Sequence, residues 1–97
     1  MFVAAAKVVI DDYGNYDLNN KRIQMKQLAQ QVHRKFNVGA EEVREEVDDP
    51  ERCVLGLSLI ASSHQEARTK IDQILLHVDG NAFARVTVQD VEIFQFE

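Results

Sequence analysis

Tryptophan is absent from this 97-residue chain, and cysteine and proline occur once each. Four glycines, Gly14, Gly39, Gly56 and Gly80, stand isolated, so the chain holds neither a Walker phosphate loop nor a dinucleotide-binding fingerprint. The single cysteine, Cys53, excludes an intrachain disulfide and points to a reducing compartment, so a cytoplasmic location is expected. With three scattered histidines it shows none of the close spacings of a metal site, and neither metal nor cofactor is expected. No stretch approaches the roughly 18 apolar residues that a bilayer span needs. The N-terminal MFVAAA run stops at Lys7 and has no basic region before it, so it does not read as a signal peptide, and no membrane partner is expected.

What is present is an ordinary globular mixture, 45% hydrophobic and 28% charged, which excludes the disordered, collagen-like and disulfide-scaffold classes. The length is that of one domain, read here as residues 1–97. A formal charge of −5 argues against indiscriminate coating of nucleic acid, and DNA is not expected as a partner.

The hydrophobic periods give an element order. Phe2, Ala4, Ala6, Val8 and Ile10 share one parity, while Lys7 and Asp11 fall on the other, which predicts a strand with a dry face and a mixed face. Asp12 to Tyr16 breaks the pattern as a turn, and Asp17 reads as a helix N-cap. Leu18, Met25, Leu28, Ala29, Val32 and Phe36 then fall within about 100° of arc, which predicts a helix from 18 to 36 ended by Asn37. Residues 38–47 read as a strand with a bulge, and Asp48 to Glu51 as a turn. In 52–61, Leu55, Leu57 and Leu59 take one face and Val54, Gly56, Ser58 and Ile60 the other, as in a central strand. Ser63 to Glu66 fits a capping box. Ala67, Ile71, Ile74, Leu75 and Val78 form a second helical stripe, with Gly80 expected in the left-handed terminating position. From about residue 84, Val86 and Val88, then Val91 and Ile93, predict a strand with a slip at Gln89-Asp90.

Strand, helix, strand, strand, helix, strand leads to one favoured topology. It is the α+β, ferredoxin-like βαββαβ arrangement, a four-stranded antiparallel sheet of order 4-1-3-2 with both helices on one face. Leu28, Val32, Leu57, Leu59, Ile71 and Ile74 are the expected core.

Several runs carry a family likeness. Asp17-Leu18-Asn19-Asn20-Lys21-Arg22 resembles the S-L-K-E-K-R run of the YlxP-like family, small bacterial proteins of unknown function. Phe36-Asn37-Val38 with Glu42-Val43, Leu55-Gly56-Leu57, and Met1-Phe2-Val3 with Lys7 resemble that family's segments in the same order. Asn19 and Asn20 depart from it, thinning the basic run. The resemblance implies a ferredoxin-like fold and no established activity. Its genomic company implies a link to translation or ribosome assembly.

Charge is distributed unevenly. Leu18 to Phe36 holds five basic residues and no acid, whereas Glu41 to Glu51 holds seven acids and one arginine. Arg22, Lys26 and His33 fall within about 40° on the first helix and flank its apolar stripe, as a phosphate-contacting face would. The expected function is therefore that of a non-enzymatic accessory protein. It would contact rRNA or a ribosomal particle through Lys21, Arg22, Lys26, His33 and Arg34. Base stacking of the RRM kind is not expected, because the mixed faces of the two central strands carry no aromatic residue. Acylphosphatase chemistry is not expected either, because Asp11, Asp12 and Asp17 crowd the loop that would cradle a phosphate. Two alternatives stand beside the first reading. One is an ACT-like module binding an amino acid at the loop Asp11 to Asn15. The other is a structural homodimer joined through Val3, Ala5, Phe94 and Phe96 on the open sheet face.

Overall fold

The computed structural model describes residues 1–14, 17–44 and 51–97, the side chain of Val88 excepted. Its elements are β1 (Phe2–Asp11), α1 (Leu18–Phe36), β2 (Gly39–Glu42), β3 (Arg52–Ala61), α2 (His64–Asn81) and β4 (Arg85–Gln95). The sheet order is β2-β3-β1-β4, all antiparallel, which is the predicted 4-1-3-2 topology.

Parity decides which side chains meet. Ala4, Ala6, Val8 and Ile10 of β1 and Leu55, Leu57 and Leu59 of β3 point into one cluster with the apolar stripes of α1 and α2, so both helices cover one sheet face. All six expected core residues are buried, Leu59 the least at 7% exposure. Each fully buried aliphatic side chain of this kind contributes about 1.5–3 kcal/mol.

The helix ends follow their capping residues. The Asp17 carboxylate accepts from the Asn20 N–H at 3.1 Å, and Asn37, at φ 53°, closes α1 by donating its N–H to the His33 carbonyl. Ser63 accepts from the Glu66 N–H at 3.1 Å, and the Glu66 carboxylate accepts from the Ser62 N–H, so the predicted box forms with its acid turned one residue further back.

Four expectations need correction. Lys21 is not a surface cation: it is 1% exposed and packed among the buried residues of α1. Leu18, placed in the apolar stripe, is exposed in the opening turn. Gly80 does not end α2 in a left-handed conformation. It lies inside the helix, whose last turn is closed by the Asn81 amide donating to the His77 carbonyl at 2.8 Å, with Ala82 extended beyond it. The slip in β4 lies earlier than read: Val9 pairs with Val88 but Ile10 with Val86, so Thr87 is the extra residue. Its hydroxyl donates to the Asp11 carboxylate.

The strand expected over 38–47 is short. β2 pairs Gly39 to Glu42 with Ser58 to Leu55, and Val43 adds one backbone hydrogen bond to Val54. Residues 45–47 of that expectation, residues 48–50 of the turn after it, and Asn15 and Tyr16 of the first turn lie outside the described residues.

Candidate nucleic-acid interface

The basic face of α1 opens onto a groove against β2. Arg22, Lys26 and His33 reach it because they sit at i, i+4 and i+11, one side of the buried stripe. The opposite wall comes from β2 and the residues after it: Ala40, Glu41, Glu42 and Arg44. His33 is fixed there, its Nδ1 donating to the Val38 carbonyl at 2.8 Å, which leaves Nε2 as the nitrogen free of that bond.

The structure thus brings together three of the five predicted contact residues. Arg34 is exposed but not among the residues that line the groove. Lys21 is buried, at 1% exposure, and does not reach the groove. Arg44 was missed, because the phase of the strand around it could not be read from an acidic run with few apolar markers.

The two helices treat their cations differently. On α2, Arg68 pairs with Asp72 at 2.7 Å and Lys70 with Glu66 at 3.0 Å, each one turn apart. Hydrogen bonding from Lys70, then from the Ser62 N–H, holds the Glu66 carboxyl below its ordinary range. Among the described residues, no ion pair involves Arg22, Lys26, Arg34 or Arg44. Lys35 turns toward α2 instead, with Nζ 3.4 Å from His77 Nδ1 and 5.6 Å from the Phe36 ring centre. The Asn81 amide also approaches His77 Nδ1 at 3.4 Å, so that nitrogen is the acceptor and the proton sits on Nε2. Burial, then the Lys35 charge, lowers the His77 pKa below 6.5.

Cys53 is buried, and burial followed by the Glu42 charge raises its thiol above the ordinary value of 9.0, while Lys21 opposes the shift. At neutral pH it stays a protonated thiol, a poor nucleophile. Among the described residues, no group of three or more His, Cys, Asp or Glu side chains could hold a metal, and no helix is long and apolar enough to cross a membrane. The loop proposed for an amino-acid ligand is tied down: the Asp12 N–H donates to the Glu51 carbonyl, and the Gly14 N–H to the Glu51 carboxylate at 3.3 Å.

The second predicted surface lies on the opposite side of the sheet. Val3 pairs with Phe94 on one side and Ile60 on the other, and Phe96 donates its N–H to the Met1 carbonyl at 2.7 Å. Val3 and Ala5 are half-buried; Phe94 and Phe96 are exposed. Ile60, absent from the predicted set, is 64% exposed on the same face. Its parity was the available signal.

A family model described as a protein of unknown function, DUF503, matches residues 3–93. No curated protein matches the chain in sequence. Among solved structures, a putative antibiotic biosynthesis monooxygenase from Nitrosomonas europaea is similar at 15% identity and a TM-score of 0.54, over 95% of this chain and 88% of that one. A crystal structure of an Agrobacterium tumefaciens protein is similar at 10% identity and a TM-score of 0.53, over 98% and 92%. A de novo designed ferredoxin-fold protein matches at 15% identity and a TM-score of 0.49, over 97% and 83%. At these identities the likeness concerns the fold alone.

Proposed function

Since the chain belongs to the DUF503 family of unknown function, its role has to be read from its own surface, and we propose that it is a non-enzymatic accessory protein that contacts RNA phosphates through α1. One observation carries this reading. The exposed cations Arg22 and Lys26 share a groove with His33 and Arg44 and have no ion-pair partner among the described residues, whereas the α2 cations are each neutralised within their own helix. A cation already paired with an acid gains little from a phosphate; an unpaired one releases the phosphate's counterions when it binds. Glu41 and Glu42 on the far wall repel a phosphate, so the strand lies toward the α1 side. The resemblance of residues 17–22, 36–38 and 55–57 to the YlxP-like runs supports a cytoplasmic setting in translation or ribosome assembly.

Contact of this kind is electrostatic and indifferent to base sequence. Arg22→Glu with Lys26→Glu should abolish co-sedimentation with ribosomal particles and leave thermal unfolding nearly unchanged, because both side chains lie beside the core stripe. Where residual RNA binding is measurable, the slope of log affinity against log salt should shrink by roughly 1.4–1.8 for two lost phosphate contacts. Arg68→Glu with Lys70→Glu is the comparison and should do much less. Sedimentation of the α1 double variant with ribosomal particles as the parent does would refute the proposal.

A further inference from the structure

One side chain in the α1 groove has a charge that is not fixed near neutral pH. Arg22, Lys26 and Arg44 are cations there, Glu41 and Glu42 are carboxylates, and His33 is the imidazole. The hydrogen bond of His33 decides its tautomer. Nδ1 stands 2.8 Å from the Val38 carbonyl oxygen, and a carbonyl only accepts, so the neutral ring carries its proton on Nδ1. Nε2 is then a bare lone pair. It has no hydrogen to give to a phosphate oxygen, and the oxygen has none to give back. Moving the proton across the ring is no remedy, because two acceptors would then face each other at Nδ1 and the Val38 carbonyl.

We propose that His33 holds an RNA phosphate as the imidazolium, so that phosphate binding and proton uptake at Nε2 are one event. This rests on the RNA reading of the groove and adds the protonation state in which the groove works. The charged groups that face the ring act on it in both directions. Arg22 and Lys26 from α1 and Arg44 from beyond β2 oppose the second proton, whereas Glu41 and Glu42 favour it. The last turn of α1, where His33 sits, also favours a cation. All of these are present with or without a ligand. A bound phosphate adds negative charge beside Nε2, and by linkage a ligand that favours the charged ring is itself held more tightly by the charged ring. The other two histidines lie outside the groove: His77 meets Lys35 on the α2 side, and His64 meets Phe2 edge-on.

Imidazoles change charge between about pH 5 and 8. RNA contact should therefore weaken as the pH rises through that range, while the contributions of Arg22 and Lys26 stay constant.

Fluorescence anisotropy with an oligouridylate, whose phosphodiesters stay charged throughout, tests this at about pH 5.5 and about pH 8. An ionic strength of about 0.1 M screens distant charges. The parent should bind roughly two- to five-fold more tightly at the lower pH, the scale of one exposed ion pair. Its slope of log affinity against log salt should be steeper there by about 0.7, for one more phosphate neutralised on a single strand. His33→Gln should bind alike at both pH values, as the parent does at the higher one. His33→Lys, with a fixed charge, should bind alike at both, as the parent does at the lower one. Calorimetry at about pH 7, in buffers of different ionisation heat, should show net proton uptake by the parent, a reading that needs no variant. Parent affinity that is flat with pH, a pH dependence as large in His33→Gln as in the parent, or binding without proton uptake would overturn the proposal and leave RNA contact standing. Absence of binding at either pH would remove the RNA reading and this inference together.

Discussion

Lys21 stands at the point where helix geometry and residue type disagree. At 100° per residue it falls inside the arc of Met25, Leu28 and Val32, yet a lysine is ordinarily assigned to solvent. It is buried, and it lies within electrostatic reach of Cys53, whose thiol also senses Glu42, Asp12 and Asp11. Lys21→Glu would bury an anion in that same field and should cost about 3 kcal/mol or more in urea unfolding. Arg22→Glu, one residue on and exposed, should stay within about 0.5 kcal/mol. Equal losses for the two would mean that Lys21 is a surface residue after all.

At the scale of the elements, α2 shows how a terminator can be misread. Glycine near the end of a helical stripe usually marks a left-handed stop. Here Gly80 keeps a helical backbone, the chain leaves the helix at Ala82, and a Cβ on Gly80 would meet nothing within 4 Å. Gly80→Ala should therefore stabilise the protein, by about 0.5–1 kcal/mol, since it removes backbone freedom from the unfolded chain without strain. A lowered melting temperature would restore the left-handed assignment. Gly14 is the contrast: at φ 78° it needs glycine for its turn. In α1 the same terminating role falls to Asn37, whose short polar side chain tolerates the left-handed region.

For the molecule as a whole, stability rests on one layer of side chains between the sheet and two helices. Leu57 from β3 and Ile71 from α2 are both within it, at 4% and 0% exposure. Leu57→Ala or Ile71→Ala should each cost about 2–5 kcal/mol by denaturant unfolding. That is a large share of the roughly 5–15 kcal/mol that small domains have. A loss under about 1 kcal/mol would mean the inward face is wrongly assigned. The layer also separates the two candidate surfaces, the α1 groove on the helical side and the apolar patch on the open side, so both can be occupied at once.

The chain's periodicities determined the architecture by themselves. Parity in β1 and β3, the stripes of α1 and α2, and the capping residues Asp17, Asn37 and Ser63 are local patterns, and only one short-looped, right-handed arrangement satisfies them together. They also marked out Arg22, Lys26 and His33, because neighbours on one helix face are fixed by spacing alone. What the tertiary structure decided is what lies across from each element. Arg44 joins the groove only because β2 packs along α1. Lys21 leaves it because the sheet closes over that side of the helix. Ile60 joins Phe94 because β1 lies between their strands and sets both registers. Contacts between residues far apart in the chain depend on packing and register, and no local period encodes them.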